Sequence, residues 1–273
     1  MKQLGLIGAG NMGGAILRGA LSDGYLSPSQ VTVCDKSRRR MSEFSQEVPG
    51  IAFCDVAEDL AEKCDVILLA VKPNVLASVV EEIRHSLSGK AVISIAAGWP
   101  MKRLTDLLEG CGCTILRVMP NTPAMVGEGM TAICEETTFG HEDFEFAKGL
   151  FEAVGRTVVL PERLFDGVTA LSGSSPAYIY MLIEAMADAG VREGIPRVTA
   201  YEMAAQSVLG SALMVLQSGD HPGRLKDAVC SPGGTTIDAV AELERTGFRS
   251  SVISAMRVCA DKSRAMARPK DGQ

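Results

Sequence analysis

The first 160 residues alternate short apolar runs with longer stretches of helical periodicity. The apolar runs fall at residues 4–7, 31–33, 65–71, 92–98 and 115–119. Short continuous runs bounded by turn residues are typical of strands buried on both faces of a parallel sheet. Because these strands alternate with helices, the pattern predicts a doubly wound α/β sheet, with ligands bound beyond the carboxyl ends of its strands.

After residue 160 the alternation stops, and the chain has only helical patterns interrupted by Gly and Pro. Two of these helices, at residues 176–189 and 199–216, are apolar on nearly every side. Such helices have to be buried on more than one side, and the roughly 110 residues of this half can scarcely bury them alone. We therefore expect two domains, residues 1–160 and 161–273, with an intertwined homodimer formed through the second.

Composition narrows the possible partners. The net charge is −6 and there is no basic cluster beyond residues 38–40, which argues against nucleic acid. No apolar run reaches the roughly 20 residues of a membrane helix, and glycines interrupt the start of the chain where a signal peptide would be apolar. Eight singly scattered cysteines indicate reduced thiols in the cytoplasm, and the three histidines have no spacing that suggests a metal site.

A glycine-rich turn joins the first predicted strand to the first predicted helix. In such a turn Gly8 would allow the tight bend, Gly10 would let the backbone approach a pyrophosphate, and Gly13 would let the helix pack on the strand. The order strand, turn, helix predicts a dinucleotide-binding site. Its candidate cofactor residues are Gly8, Ala9, Gly10, Asn11, Met12 and Gly13.

The residues after the second predicted strand give conflicting indications about the cofactor. Asp35 would accept a hydrogen bond from a free ribose 2′-hydroxyl and so favours NAD. Lys36, Ser37 and Arg38 could bind a 2′-phosphate, and their positive charge moves the prediction to NADP, with NADPH preferred over NADH. The alternative is that residues 38–40 are simply the solvated start of a helix.

Other predicted loops should open on the same edge of the sheet. The third and fourth candidate cofactor segments are Ala70, Val71, Lys72 and Pro73, and then Ala96, Ala97 and Gly98. Lys72 could contact the cofactor or face solvent, and the sequence does not distinguish the two. A proline-bracketed loop at Asn121 should open there as well.

Near the C-terminal end, a second glycine-rich turn feeds a helical pattern. Such a turn can hold a small anion such as a carboxylate, although most are only turns. We expect Thr235 or Thr236 to cap the helix, and Asp238 and Glu242 to complement its positive end. The turn consists of Ser231, Pro232, Gly233, Gly234, Thr235 and Thr236.

Taken together, these stretches resemble the pyrroline-5-carboxylate reductase family along nearly the whole chain. The N-terminal motifs would fit several dehydrogenase families, whereas the long signature from Ser231 to Arg249 is specific. The matching stretches are residues 8–13, 70–73, 94–98, 117–123, 171–178, 221–223 and 231–249.

The resemblance implies an NAD(P)H-dependent reduction of 1-pyrroline-5-carboxylate to proline, the last step of proline biosynthesis. It also implies a Rossmann domain, a helical dimerisation domain and often a larger ring of dimers. Thr236 matches the family threonine near the ring nitrogen, which makes it the candidate catalytic residue, and Glu162 matches an acidic residue near the product. The other substrate-binding residues implied are Ser231, Gly233, Gly234 and Thr235.

Three positions depart from the family pattern. Ser175 stands where relatives usually have Gly, Ala57 where many have an Asn near the adenosine ribose, and Gly219 where some are acidic. A rival enzyme class, the β-hydroxyacid dehydrogenases, normally needs a lysine on the first helix of the second domain, and residues 177–189 contain none. The rival from another class is a sensor that binds the cofactor without turnover.

Overall fold

The computed structural model describes residues 1–267, which pack into two compact units. The first contains residues 1–173 together with residues 259–267, and the second contains residues 174–258. The last helix therefore begins in the second unit and ends in the first. The predicted division of the chain into domains at residue 160 stays a prediction. The compact units of the structure divide after Gly173.

The first unit is built on an eight-stranded sheet with the order β3-β2-β1-β4-β5-β6-β7-β8. Neighbouring strands are parallel except β6 and β7, which are antiparallel. Because the chain moves outward from β1 to β3 and then crosses back to β4, the strand order reverses between β1 and β4. Ligands of doubly wound sheets bind at such a reversal. The strands are β1 (Leu4–Ile7), β2 (Val31–Cys34), β3 (Ala52–Phe53), β4 (Val66–Leu69), β5 (Ala91–Ser94), β6 (Thr114–Met119), β7 (Gly129–Cys134) and β8 (Gly155–Leu160).

Helices cover both faces of this sheet, so the core has two layers. Along β4, Val66 and Leu68 pack into one layer, whereas Ile67 and Leu69 pack into the other. Both faces are apolar for this reason, which explains why the central strands read as continuous apolar runs. The helices are α1 (Asn11–Ser22), α2 (Arg38–Glu47), α3 (Ala57–Lys63), α4 (Leu76–Ile83), α5 (Met101–Leu107), α6 (His141–Glu152) and α7 (Phe165–Val168).

The second unit is entirely helical, as predicted. Its helices are α8 (Ser175–Arg192), α9 (Arg197–Ser218), α10 (Pro222–Val229), α11 (Thr235–Arg245) and the first part of α12 (Phe248–Ala267). The predicted fold class, a doubly wound α/β domain followed by helices, is confirmed. Within residues 1–267 no helix combines the length and apolar character that crossing a bilayer requires.

Three strands, β3, β7 and β8, are absent from the sequence prediction. β3 has only two residues and β7 begins at a glycine, so neither has a long apolar run. The predicted third and fourth strands were also too long, because β4 ends at Leu69 and β5 ends at Ser94. The small and apolar residues beyond those ends form loops.

Candidate active site

A cleft of about 670 Å³ opens at the carboxyl edge of the sheet, where the strand order reverses. Its wall comes from the glycine turn after β1 and from the loops after β2, β4, β5 and β6, as the sequence predicts. The predicted cofactor residues that line it are Gly8, Gly10, Asn11, Met12, Lys36, Ala70, Val71, Lys72, Pro73, Ala96 and Ala97. The lining residues outside that prediction include Cys34, Arg40, Asp55, Ala57, Glu82, Met119 and Pro120.

The glycines of the first turn serve different purposes. Gly8 has a φ of +101°, and a Cβ there would lie 2.7 Å from the carbonyl oxygen of Ala70. A Cβ on Gly13 would lie 2.3 Å from the carbonyl oxygen of Gly8. At Gly10, in contrast, a Cβ would meet only the Arg40 guanidinium, at 3.8 Å. The fold therefore requires Gly8 and Gly13, whereas Gly10 keeps open the space in front of α1.

That open space fits a pyrophosphate. Gly10 is the N-cap of α1 and supplies no side-chain acceptor to the first N–H groups of the helix. Uncapped N–H groups at the positive end of a helix bind phosphate oxygens. The chain's own residues thus form a site suited to a dinucleotide.

Asp35 serves the structure of this turn. Its Oδ2 accepts the Ala9 N–H at 2.8 Å, and its Oδ1 accepts the Ser37 N–H at 2.7 Å. The Arg40 guanidinium lies 3.6 Å from Oδ2, and the Asp35 side chain is only 9% exposed. The carboxylate therefore fastens the glycine turn to the loop after β2.

The basic residues after Asp35 are divided between the cleft and the surface. Lys36 lines the cleft, whereas Arg38 is the exposed first residue of α2. Ser37 is the N-cap of α2, and its hydroxyl accepts the Arg40 N–H at 3.4 Å. Arg40, which the sequence analysis did not single out, lines the cleft. The signal that could have identified it is its position three residues after a serine cap.

Trp99, the one tryptophan of the chain, links two loops of the cleft. Its indole N–H donates to the carbonyl oxygen of Pro73 at 2.9 Å, and the Arg103 guanidinium stacks 3.6 Å above its ring. Gly98 has a φ of +73°, and a Cβ there would lie 3.5 Å from Met266 of α12. Gly98 therefore shapes the loop from outside the cleft.

Cys34 ends β2 at the wall of the cleft. Burial raises the pKa of its thiol to about 11, with smaller contributions from Cys54 and nearby carboxylates. A thiol with this pKa stays protonated at neutral pH and is a poor nucleophile.

Glu162 belongs to the first unit and follows β8. Its Oε1 accepts hydrogen bonds from the Arg117 guanidinium at 2.6 Å and from the Met101 N–H at 2.5 Å. Its own N–H donates at 2.6 Å to Glu136, and this bond is the main cause of the lowered pKa of the Glu136 carboxyl. Arg117 also lies 4.6 Å over the ring of Phe165, the first residue of α7. The pair of Arg117 and Glu162 therefore ties β6 to α5 and to α7.

The second glycine turn carries the predicted substrate residues other than Glu162 and leads into the start of α11. The helix begins at Thr235, and because its N-cap is Gly234, no side-chain hydrogen bond caps it. The expectation that Thr235 or Thr236 caps the helix is therefore wrong. Gly233 has a φ of +66°, and the Gly234 N–H closes the turn on the Ser231 carbonyl oxygen at 3.0 Å.

The acidic residues of α11 follow the prediction only in part. Asp238 lies in the first turn, as expected. Glu242 lies in the last turns and is bonded to the Arg245 guanidinium at 2.6 Å, so its predicted role at the positive end is wrong. The first N–H groups of α11 therefore have no capping side chain, which suits them to a carboxylate. Within residues 1–267 no cluster of His, Cys, Asp and Glu could hold a metal ion.

Comparison with known proteins identifies the family. The family model described as pyrroline-5-carboxylate reductase dimerisation matches residues 162–266, and the one described as NADP oxidoreductase coenzyme F420-dependent matches residues 3–98. The pyrroline-5-carboxylate reductase of Escherichia coli K12 is 45% identical over 98% of this chain and 99% of its own length. The enzyme of Arabidopsis thaliana is 42% identical over 97% of this chain and 95% of its own.

A solved structure agrees with the sequence relatives. The Plasmodium falciparum pyrroline carboxylate reductase with NADP bound superimposes with a TM-score of 0.88, is 32% identical, and covers 98% of both chains. The match extends through the sheet and the helical half alike, so the resemblance inferred from the sequence motifs is confirmed. This chain belongs to the pyrroline-5-carboxylate reductase family.

Proposed function

We propose that this chain reduces 1-pyrroline-5-carboxylate to L-proline, the last step of proline biosynthesis, with NADPH as the reductant. The observation that carries the proposal is the 45% identity to a pyrroline-5-carboxylate reductase over 98% of the chain. The NADP held by the Plasmodium falciparum relative and the NADP oxidoreductase family match support the choice of cofactor.

The cleft of the first unit would hold the cofactor, which supplies the hydride when bound. The turn at residues 8–13 and the uncapped start of α1 would receive the pyrophosphate. Lys36, Ser37 and Arg38 would receive the ribose 2′-phosphate. Residues 70–73 and 96–97 would complete the wall, and the bond between Trp99 and Pro73 links the two loops.

The turn at residues 231–236 would hold the substrate carboxylate. Ser231, Thr235 and Thr236 offer hydroxyls, and the first N–H groups of α11 are uncapped because Gly234 has no side chain. These donors are fixed by the turn itself, so little reorganisation is needed when an anion binds.

Thr236 is the proposed catalytic residue, through orientation. A cyclic imine accepts hydride well only when its nitrogen is protonated, and a threonine hydroxyl is too weak an acid to supply that proton. The substrate would arrive as the iminium or receive a proton from the solvent through a water, while the Thr236 hydroxyl aligns the ring nitrogen. Glu162 is proposed to contact the product through Oε2, since Oε1 is occupied by Arg117 and Met101.

The test is oxidation of NADPH and of NADH by the purified protein with 1-pyrroline-5-carboxylate, with proline measured as product. Thr236→Ala should lower kcat/KM by about tenfold to a thousandfold, the range for an aligning contact. Thr246→Ala is the matched control, because that hydroxyl bonds only to helix carbonyls at the end of α11, and it should stay within about twofold of wild type.

Two results would contradict the proposal in different ways. A Thr236→Ala variant with kinetics within about twofold of wild type would remove Thr236 from the mechanism. A wild-type protein that binds the cofactor and oxidises neither NADPH nor NADH would make a related dehydrogenase or a cofactor sensor the better assignment.

The second unit is proposed to form a homodimer, with a larger ring of dimers as the further assembly. Its long helices expose large apolar side chains, among them Met181 and Met214, at 69% and 56% exposure. Apolar surface of this extent marks an interface, and the family match in this region is to a dimerisation domain. Sedimentation should show at least a dimer, and Met214→Glu should shift it toward monomer. The cytoplasmic location stays a prediction from the cysteines.

A further inference from the structure

The cofactor cleft contains an arginine that the family resemblance did not assign. We infer that Arg40 selects the phosphorylated cofactor, and that Asp35 is a positioning residue that shapes the glycine turn and does not bind the ribose. The inference rests on the proposed NADPH-dependent reduction and names the residues of its cofactor specificity.

The bonds of Asp35 explain why it does not select NAD. A carboxylate selects NAD when it accepts a hydrogen bond from the free ribose hydroxyls. In this chain both carboxylate oxygens already accept backbone N–H groups, one from Ala9 and one from Ser37. The side chain is 9% exposed, and the Arg40 guanidinium lies 3.6 Å from its Oδ2. Each oxygen keeps a further lone pair, but the burial of the side chain and the nearby Arg40 guanidinium restrict the approach of a ribose hydroxyl.

The guanidinium of Arg40 has capacity for a ligand. It lies 3.6 Å from Asp35 Oδ2, which is too long for a hydrogen bond, so its N–H donors are not used up by that carboxylate. It is 47% exposed and lies between the main cleft and a smaller cavity of about 200 Å³ beside the start of α1. A planar guanidinium in this position presents several donors to phosphate oxygens.

The position of Arg40 in α2 adds to this argument. The first turn of α2 carries three arginines and no acidic residue, although the positive end of a helix disfavours cations. The positive charge of Arg39 is balanced by the carboxylate of Glu43, 2.7 Å away, and both side chains are exposed. Arg40 instead faces the cleft, where a 2′-phosphate with close to two negative charges would compensate both the side chain and the helix end.

The test compares two probes that differ in the 2′-phosphate, adenosine 2′,5′-bisphosphate and 5′-AMP, by calorimetric titration of the full chain. Arg40→Ala should weaken the bisphosphate by about 10- to 100-fold, the loss expected for charge-assisted hydrogen bonds. It should leave 5′-AMP within about threefold. Arg39→Ala is the matched control and should leave both probes within about threefold, because its partner is Glu43.

Asp35→Asn completes the test. An amide can accept only one of the two N–H groups, so the variant should melt at a lower temperature and weaken both probes to a similar extent. In steady state, Arg40→Ala should raise KM for NADPH more than KM for NADH. These binding measurements need no imine reduction, so they can fail or succeed independently of the proposed reaction.

The outcomes that would overturn the inference are distinct. If Arg40→Ala weakens both probes equally, the guanidinium binds the 5′-phosphate or supports the fold, and it does not select the cofactor. If Arg40→Ala changes neither probe, the residue is outside the adenosine site. If Asp35→Asn selectively weakens 5′-AMP, Asp35 binds the ribose after all.

Discussion

Gly10 and Gly13 lie in the same motif, yet an alanine at each should have opposite consequences. At Gly10, φ is −69° and ψ is −171°, a conformation open to any residue, and a Cβ would have no neighbour closer than Arg40 at 3.8 Å. At Gly13 a Cβ would lie 2.3 Å from the Gly8 carbonyl oxygen and 2.8 Å from the Ala70 Cβ.

The magnitudes follow from these contacts. Gly10→Ala reduces the conformational freedom of the unfolded chain, which stabilises the folded state by about 0.4–1 kcal/mol. The loss of glycine at an N-cap offsets a few tenths of a kcal/mol of this gain. The free energy of unfolding should therefore change by less than about 1 kcal/mol. Gly13→Ala forces a methyl group against backbone that cannot move away, at a cost of about 1–3 kcal/mol or more.

Gly10→Ala, which should barely change stability, should instead weaken cofactor binding. The methyl group of Gly10→Ala would occupy the space in front of α1, so NADPH should bind at least about tenfold more weakly, the loss for one or more charge-assisted bonds to phosphate. Urea unfolding of the protein without cofactor measures the first effect, and calorimetric titration with NADPH measures the second.

Either of two results would refute part of the reasoning about the glycine turn. If Gly10→Ala binds NADPH with wild-type affinity, the pyrophosphate does not lie in front of α1, and the cleft holds the cofactor in another way. If Gly13→Ala is as stable as wild type, the close contact with Gly8 is relieved by a shift of α1, and the turn is less rigid than the distances indicate.

Three further predictions concern the surroundings of the cleft. Trp99→Phe should lower the free energy of unfolding by about 1–2 kcal/mol, because the Pro73 carbonyl loses its donor, and it should weaken NADPH binding in a calorimetric titration. Glu162→Gln should lower the urea-unfolding free energy by about 1–3 kcal/mol, because the nearly buried Arg117 loses its counter-charge; unchanged stability would leave Glu162 with a purely substrate-binding role. The pKa of the Cys34 thiol is about 11 in the folded protein against an ordinary value of 9.0. Its contribution to the free energy of unfolding should therefore be constant below pH 9 and should fall by about 2 kcal/mol by pH 11, because the thiol ionises first in the unfolded chain. Unfolding of wild type and Cys34→Ala at pH 8, 9, 10 and 11 measures this difference, which should narrow as the pH rises.

The sheet of the first unit could be predicted because each central strand is buried on both faces. Val66 to Leu69 alternate between two apolar layers, and this leaves a continuous apolar run in the sequence. β7 could not be predicted in the same way, because it pairs antiparallel to β6 through only Val118 and Met119 and begins at Gly129. Its placement depends on contacts distant in sequence.

The candidate site shows the same distinction. The glycine turn carries its own geometry, so Gly8 and Gly10 could be placed in the cleft from the sequence. The role of Asp35 could not, because it depends on Ala9, 26 residues earlier, coming within hydrogen-bond distance. The helix-capping prediction at Thr235 failed since the closing of the turn on Ser231 moves the cap to Gly234.

The path of α12 has a consequence for how the protein is made. Its last residues return to the first unit, where Ser263 donates to Asp166 at 2.6 Å and Met266 approaches Gly98. The ribosome must therefore add the 85 residues of the second unit, 174 to 258, before it can supply this piece. At about 5–20 residues per second this takes roughly 4 to 17 seconds. During that interval the nascent cofactor-binding unit is present without its final segment, so its completion waits for the synthesis of the second unit.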